Sequence, residues 1–468
     1  MNRIWKAGAA ALCVLLPLPA MAQEATPTLS VADTVFVTAC ALFVMLMMVP
    51  GLALFYAGLG RAKNVLSVMT QVIATSALVG ILWIFAGYSL TFVDGGPLQA
   101  VIGGTSKLFL MGVGQDSLVG ELPEYLYVMF MMMFAAITPA IIVGGIAERA
   151  RFSAVLIFMG IWLFINYVPM AHMAWGGGWV FGWEPQDFAG GNVVHLNAGI
   201  AALMAALMVG PRLGYRTTMM APHNMTMTTT GGCMLWVGWL AFCGGCALAA
   251  NGFSMMVMLN TFLGGAAGAM GWMVTEWIHR GRPSTLGIMS GVIAGLVAIT
   301  PACGFVSPMG AIAVGFIAAP PCVWAVEYLK HRFGYDDSFD VFGVHGVGAI
   351  VGGILTVIFA AEALGGTGFP AERNMGSQMV VQVALIAFSA VYSIISSYIA
   401  LKIADKLVGL RVSPDDELAG LDIAAHGESG YRLDDGVVGE SIFAQVAHGH
   451  GSVPALAVAP ATPGPASR

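Results

Sequence analysis

The chain has 468 residues, of which 58% are hydrophobic and only 9% charged, against about a quarter charged in soluble domains. That composition excludes a soluble domain and points to an all-α, polytopic membrane protein. A net charge of −6 without any basic cluster or nucleic-acid motif sets nucleic acid aside as a partner. The seven cysteines lie mostly in apolar runs with no paired CxxC spacing, so they read as small hydrophobes rather than zinc ligands.

Residues 1–22 read as a secretory signal peptide. Arg3 and Lys6 precede a short apolar run from Ala7 to Leu18, and Ala20-Met21-Ala22 forms a small-residue cleavage site. An uncleaved helix is the alternative, but Pro17 and Pro19 and the shortness of the run argue against it. Charge-free runs then mark spans over Thr34 to Gly60, Val65 to Val93, Tyr125 to Ala147, Phe152 to Trp175, Phe188 to Pro211, Thr217 to Thr275, Pro283 to Val326, Val341 to Ala361 and Asn374 to Leu401. Two of these are too long for one crossing at about 20 residues per helix. Each is expected to hold two helices, split near Ala250-Asn251-Gly252 and near Pro301-Ala302-Cys303-Gly304, which gives eleven transmembrane helices in residues 23–410.

Basic residues favour cytoplasmic loops. With the mature N-terminus outside, the inner loops hold Arg61, Lys63, Arg149, Arg151, Arg212, Arg216, Arg280, Arg282, Lys330 and Arg332, and the outer loops only Lys107 and Arg373. The alternation puts the C-terminus in the cytoplasm and predicts an inner-membrane protein. Histidines inside the fifth and tenth helices suggest two inverted five-helix repeats, with a long eleventh helix lying tilted across them. Paired glycines, such as Gly190-Gly191 and Gly264-Gly265, allow close helix packing. Residues 411–468 read as a cytoplasmic tail, Ala/Pro/Gly-rich and disordered from about His448.

The candidate functional residues begin with His195 in Asp187-Phe-Ala-Gly-Gly-Asn-Val-Val-His195-Leu-Asn-Ala-Gly-Ile and His345 in Asp340-Val-Phe-Gly-Val-His345-Gly. One histidine on a membrane helix is as readily a packing residue; two in equivalent settings point to a shared site. A neutral imidazole offers one donor and one acceptor nitrogen, so a pair can bond a small neutral molecule or pass a proton. Aromatic faces attract ammonium-type cations. Phe130 and Phe134 share a helix face, Trp175 precedes a glycine triplet, and Trp239 and Phe242 are three apart, although periodicity alone does not single these five out. Asp187 reads first as the N-cap of the fifth helix and also as a negative charge favouring a nearby cation. His172 and His223 read as structural.

From about Asp33 to Tyr431 the chain resembles the ammonium transporter family, the Amt/Mep/Rh proteins. The resemblance is carried by the Asp187 to Leu203 stretch, by Val341-Phe-Gly-Val-His345-Gly, by Pro50-Gly-Leu-Ala-Leu-Phe-Tyr56 and by Pro301-Ala-Cys-Gly304. It implies that His195 and His345 are the twin histidines of a pore. It implies further that Phe134 and Trp175, with Phe130 and Trp239 nearby, form an outer ammonium recruitment site supported by a buried Asp187. Phe134 and Phe242 would be its stacked gate. Many members have a serine hydroxyl at the outer site; this chain has Cys246, whose thiol is the weaker hydrogen-bonding group. The implied protein is a homotrimer without cofactor or resident metal and is not an enzyme. It recruits NH4+, deprotonates it and conducts NH3. The segment from Leu410 to Glu428 resembles one that participates in regulation, often by a PII signal protein.

Three other readings are set beside this one. An ammonium sensor would work through a PII-type partner, because about 58 residues after Leu410 leave little room for a fused signalling domain. A Rh-like neutral gas channel fits Trp175 and a bacterial-style signal peptide less well. A metalloenzyme built on the two histidines lacks a carboxylate or cysteine one helical turn from either.

Overall fold

A computed structural model describes residues 28–431. The signal peptide expected at residues 1–22 and the low-complexity end from His448 lie outside them. The main helices, in chain order, are α1 Val31–Leu59, α2 Ala62–Phe92, α3 Glu124–Ile146, α4 Phe152–Trp175, α5 Gly191–Val209, α6 Met225–Gly245, α7 Gly252–Arg280, α8 Thr285–Ile299, α9 Pro308–Phe333, α10 Phe342–Phe359 and α11 Met375–Val408. Among the described residues, the nine apart from α6 and α8 are long and apolar enough to cross a membrane. Helix α6 is 21 residues long, but its first turns, Met225-Thr-Met-Thr-Thr-Thr230, dilute its hydrophobicity; α8 has only 15 residues. The strands described are one short hairpin, Leu118–Val119 with Leu122–Pro123.

Local chemistry sets the boundaries. Both expected splits are present: Asn251 caps α7 by accepting from Phe253 and Ser254 N–H, and Ser307 caps α9 by accepting from Gly310 N–H. Such caps contribute about 1 kcal/mol each. Helix α11 begins at an Asn374 capping box and runs for 34 residues, close to the expected Asn374 start. Pro50 inside α1 cannot donate a backbone bond, and the helix widens there into a π-turn over Met47–Leu52. Similar π-turns open α5 and α10, where they serve the site.

One face of the bundle is tied by buried ions. Arg149 is fully buried and donates to the carbonyl oxygens of Gly145 (3.1 Å), Ala147 (3.1 Å), Gly210 (2.7 Å) and Asp336 (2.5 Å) and to Ser338 Oγ (2.6 Å). Arg212 pairs with Glu148 at 2.9 Å and with Asp336 at 2.8 Å, and Arg61 pairs with Glu148 at 3.0 Å. The ends of α1, α3 and α5 and the approach to α10 therefore meet at one place. The tail closes over them through two short helices, α12 Pro414–Ala419 and α13 Leu421–His426. Glu417 accepts from Leu213 N–H (2.6 Å) and pairs with Arg411 (2.7 Å), while Asp422 accepts from Ser67 N–H (2.7 Å). The tail is thus packed as far as Tyr431, whose hydroxyl meets His223 Nε2 at 2.9 Å.

Burial alone would raise the Glu148 and Asp336 carboxyls, but the arginines beside them hold both below the usual carboxylate range. Carboxyls lowered in the folded state contribute stability above their unfolded pKa and lose it as pH falls through the folded one. Thermal unfolding in detergent is therefore expected to drop on acidification below the ordinary carboxylate range. Arg149→Ala leaves several buried carbonyls unpaired and is expected to cost on the order of 3 kcal/mol. An unfolding temperature equal to the parent's contradicts this account of the ionic clamp.

Candidate functional site

Helices α5 and α10 start in the same way. Each histidine follows an aspartate by eight residues, Asp187 before His195 and Asp337 before His345. Five residues before each histidine the backbone takes a left-handed conformation, at Gly190 (φ 95°) and at Asp340 (φ 62°), and the chain then enters a π-turn, Gly191–Leu196 or Phe342–Gly346. The aspartates accept the first free N–H groups. Asp187 takes Gly191 N–H (2.5 Å), Asn192 N–H (2.9 Å) and Asn192 Nδ2 (3.2 Å); Asp337 takes Phe342 N–H (2.7 Å). A carboxylate at a helix start satisfies orphan donors and suits the positive end of the helix dipole. Asp187 does this from three residues ahead of the cap position, which Gly190 occupies. The expected N-cap chemistry is present, at a different register. Asp187 is half-buried rather than enclosed. Burial pushes its carboxyl up, while the N–H groups of Asn192 and Gly191 pull it back.

The two helices touch at backbone distance. A Cβ on Gly199 would lie 2.3 Å from Gly346 N and 3.1 Å from the carbonyl carbon of His345, so only glycine permits this approach. The approach brings His195 Nδ1 and His345 Nδ1 to 3.3 Å. Two imidazole nitrogens can share a hydrogen only when one donates and the other accepts, so the contact selects complementary tautomers. His195 Nε2 is buried without a protein partner.

Aromatic rings lead to the pair. Phe134 and Phe242 stack with centroids 4.0 Å apart and planes 21° from parallel, and Trp175 meets Phe134 edge-on at 6.1 Å, as Phe130 does at 5.2 Å. Phe242 lies 6.1 Å from His195, and Trp239 stacks on that imidazole at 4.8 Å. The indole of Trp239 is held by donation to Thr300 Oγ1 (2.8 Å), whose own hydroxyl donates to Leu296 O (2.7 Å). On the far side, His345 lines a cavity of about 370 Å³ shared with Tyr56, Arg212, Glu276, Lys330 and Asp340. Another cavity, of about 320 Å³, lies against Trp175, Asp187, Phe188 and Asn192.

Seven of the residues singled out in the sequence are thus joined contact by contact, Trp175 to Phe134 to Phe242 to His195 to His345, with Phe130 on Phe134 and Trp239 on His195. Cys246 is half-buried at the end of α6, and its thiol donates to Phe242 O (3.3 Å) in its own helix. His172 bridges Thr91 O (2.7 Å) and Gln99 O (2.8 Å), and His223 bridges Gly60 O (2.8 Å) and Tyr431; both are structural ties. Sequence reading missed Asp337, Thr300 and the Gly199 contact. The repeated eight-residue interval from aspartate to histidine would have shown Asp337. Nothing local marks Thr300, which acts on a tryptophan of another helix.

A helical, multi-pass membrane protein with paired imidazoles at a glycine-lined helix crossing is the class that fold and site define. The chain belongs to the Ammonium Transporter Family, whose model matches residues 35–431. It is 42% identical over 407 residues to an ammonium transporter of Bacillus subtilis, covering 86% of this chain and 99% of that one. It is 41% identical over 420 residues to an ammonium transporter of Aquifex aeolicus, covering 88% and 96%. Among solved structures it is similar to Saccharomyces cerevisiae Mep2, with a TM-score of 0.78, 34% identity and coverage of 88% of this chain and 94% of that one. A structure described as a sensor Amt protein also has a TM-score of 0.78, at 27% identity, with coverage of 84% and 98%.

Gly199→Ala must push α5 from α10, with an expected cost of about 1–3 kcal/mol. Gly182→Ala, where an added Cβ meets nothing within 4 Å, is the control and should leave unfolding unchanged. Equal unfolding temperatures for the two variants contradict the close crossing.

Proposed function

We propose that this chain transports ammonium across an inner membrane, taking up NH4+ at the aromatic end of the line and conducting NH3 past His195 and His345. The observation that carries the reading is the continuity of stacked rings with the touching imidazoles. Phe130, Phe134 and Trp175 recruit the cation, with Trp239 and Cys246 close by and Asp187 supplying negative charge. Desolvated cation–π contacts of this kind contribute ~2 kcal/mol or more. Beyond them an ion would enter an apolar path without its hydration shell, at a cost of several kcal/mol or more. Ammonium escapes that cost by giving its proton to water on the aromatic side and entering as NH3. Potassium has no proton to leave, which gives the discrimination. The stacked Phe134 and Phe242 rings form the gate and move aside for each passage. The imidazoles then offer the neutral molecule a donor and an acceptor where the rest of the lining is hydrocarbon.

In this reading all eleven helices span, α6 and α8 included, and helices one to five and six to ten are inverted repeats. The matching aspartate, left-handed residue, π-turn and histidine on α5 and α10 support the repeat. The distribution of basic residues supports a cytoplasmic tail face and a mature N-terminus outside. A homotrimer with a pore in each subunit, and a PII-type protein on the tail face, complete the proposal. A second reading, an ammonium sensor acting through such a partner, is favoured by the likeness to the sensor Amt protein and by the folded tail, whose Glu417 accepts from Leu213 N–H next to the cavity-lining Arg212.

Uptake of 15N-labelled ammonium by vesicles tests the transport reading. Replacing both His195 and His345 with Ala should bring selective uptake down to that of protein-free vesicles. Unchanged uptake with unchanged discrimination against K+ would overturn the mechanism.

A further inference from the structure

Asp337 has no place in the path just described, yet it anchors the turn that carries His345 as Asp187 anchors that of His195. The two anchors differ in completeness. Both oxygens of Asp187 are engaged, by Gly191 N–H, Asn192 N–H and Asn192 Nδ2. Asp337 is 1% exposed, and only its Oδ2 is engaged, by Phe342 N–H at 2.7 Å; Oδ1 is buried with no partner. A buried carboxylate oxygen left unpaired is costly and calls for an explanation.

The charged and titratable groups facing Asp337 come from several elements: Lys330 of α9, Arg149 of the turn after α3, Tyr56 of α1, and Tyr335 and Asp340 of its own loop. The cations are committed elsewhere, Lys330 to Asp340 at 2.7 Å and Arg149 to the carbonyls described above. Burial, reinforced by the Asp340 charge and opposed by Lys330 and the N–H groups of Phe342 and Val341, pushes the Asp337 carboxyl up to about 6. The residues immediately after it, Ser338, Phe339 and Asp340, line the 370 Å³ cavity that His345 also lines, so protons from the tail face come close to it.

We propose that Asp337 is the positioning residue for His345, and that proton uptake at its free oxygen loosens the turn carrying that imidazole, making conduction sensitive to pH on the tail face. The inference rests on the transport reading above for its consequence, and on local geometry for its mechanism. Ionised Asp337 makes a charge-assisted bond to Phe342 N–H, about twice as strong as a neutral one, at the positive end of a helix. Protonated Asp337 makes the weaker bond. The turn is therefore held firmly above the folded pKa and loosely below it.

Hydrogen exchange of the segment around Phe342, followed in the full-length protein in detergent and corrected for the intrinsic pH dependence of exchange, tests the mechanism. The parent protein should gain roughly five-fold protection as pH rises through about 6, and Asp337→Asn should show no such step. Parallel profiles overturn the proposal. Asp337→Glu, which keeps the charge, should retain a step and serves if the Asn variant does not fold. In vesicles with the tail face exposed to varied pH, the ratio of parent to Asp337→Asn ammonium flux should fall as that face is acidified through the same range, and a constant ratio also overturns the proposal. Absence of flux from the parent protein would instead refute the transport reading and leave the exchange experiment to decide on Asp337 alone.

Discussion

The structure depends on one steric allowance, the backbone contact of α5 and α10 at Gly199 and Gly346. Without it the imidazoles of His195 and His345 stand a side chain apart and cannot share a hydrogen. In a bilayer no hydrophobic force drives two apolar helices together, so close packing of small residues and internal hydrogen bonds must do so. Glycine at this crossing supplies the first, and the Nδ1 contact supplies the second. The aromatic contacts, the stack of Phe134 on Phe242 and the cavity that His345 lines are all set by where that crossing lies.

Polar groups near the crossing are only partly paired: Asn192 Oδ1, His195 Nε2, Asn197 Oδ1 and Asp337 Oδ1 are buried without a protein partner. Each helix begins with a carboxylate placed on its first free N–H groups, and each passes through a π-turn before the histidine. The two starts are alike in geometry and unlike in completeness, with Asp187 fully engaged and Asp337 half engaged. On the tail face, Arg149, Arg212, Glu148 and Asp336 join the ends of several helices, and the chain from Leu410 to Tyr431 is built into the same network through Arg411 and Glu417. Arg212 bonds to Asp336, the residue before Asp337, so the tail and the histidine-bearing turn share a rigid support.

Much of this was legible in the sequence. Charge-free runs gave the helices because a span cannot hold unpaired charge, and the splits at Asn251 and Ser307 follow from capping chemistry that is local to a few residues. The histidines stood out because ionisable groups are rare in such runs. The aromatic residues do not stand out: with 25 phenylalanines and 11 tryptophans, only resemblance to a family singles out the few that the fold brings into contact beside His195. Asp187 was recognised but set at the cap itself, because sequence does not show that Gly190 takes the left-handed turn. Thr300 was invisible because its role lies in a contact with Trp239 on another helix. Asp337 was overlooked for a simpler reason. Asp340 is the aspartate nearer to His345 in sequence, and the interval shared with Asp187 begins three residues earlier, at Asp337.

The central claim is that two separately anchored turns deliver two imidazoles into one hydrogen-bonded site, on the path proposed for ammonium. Solid-state NMR of the protein in bilayers, with 15N-labelled histidine, tests it directly, His195→Ala and His345→Ala spectra identifying the two rings among the nine histidines. The account predicts one Nδ1 bearing hydrogen and one bare Nδ1, coupled through a shared hydrogen bond and perturbed when ammonium is added. Two uncoupled Nδ1 atoms, indifferent to ammonium, would contradict it.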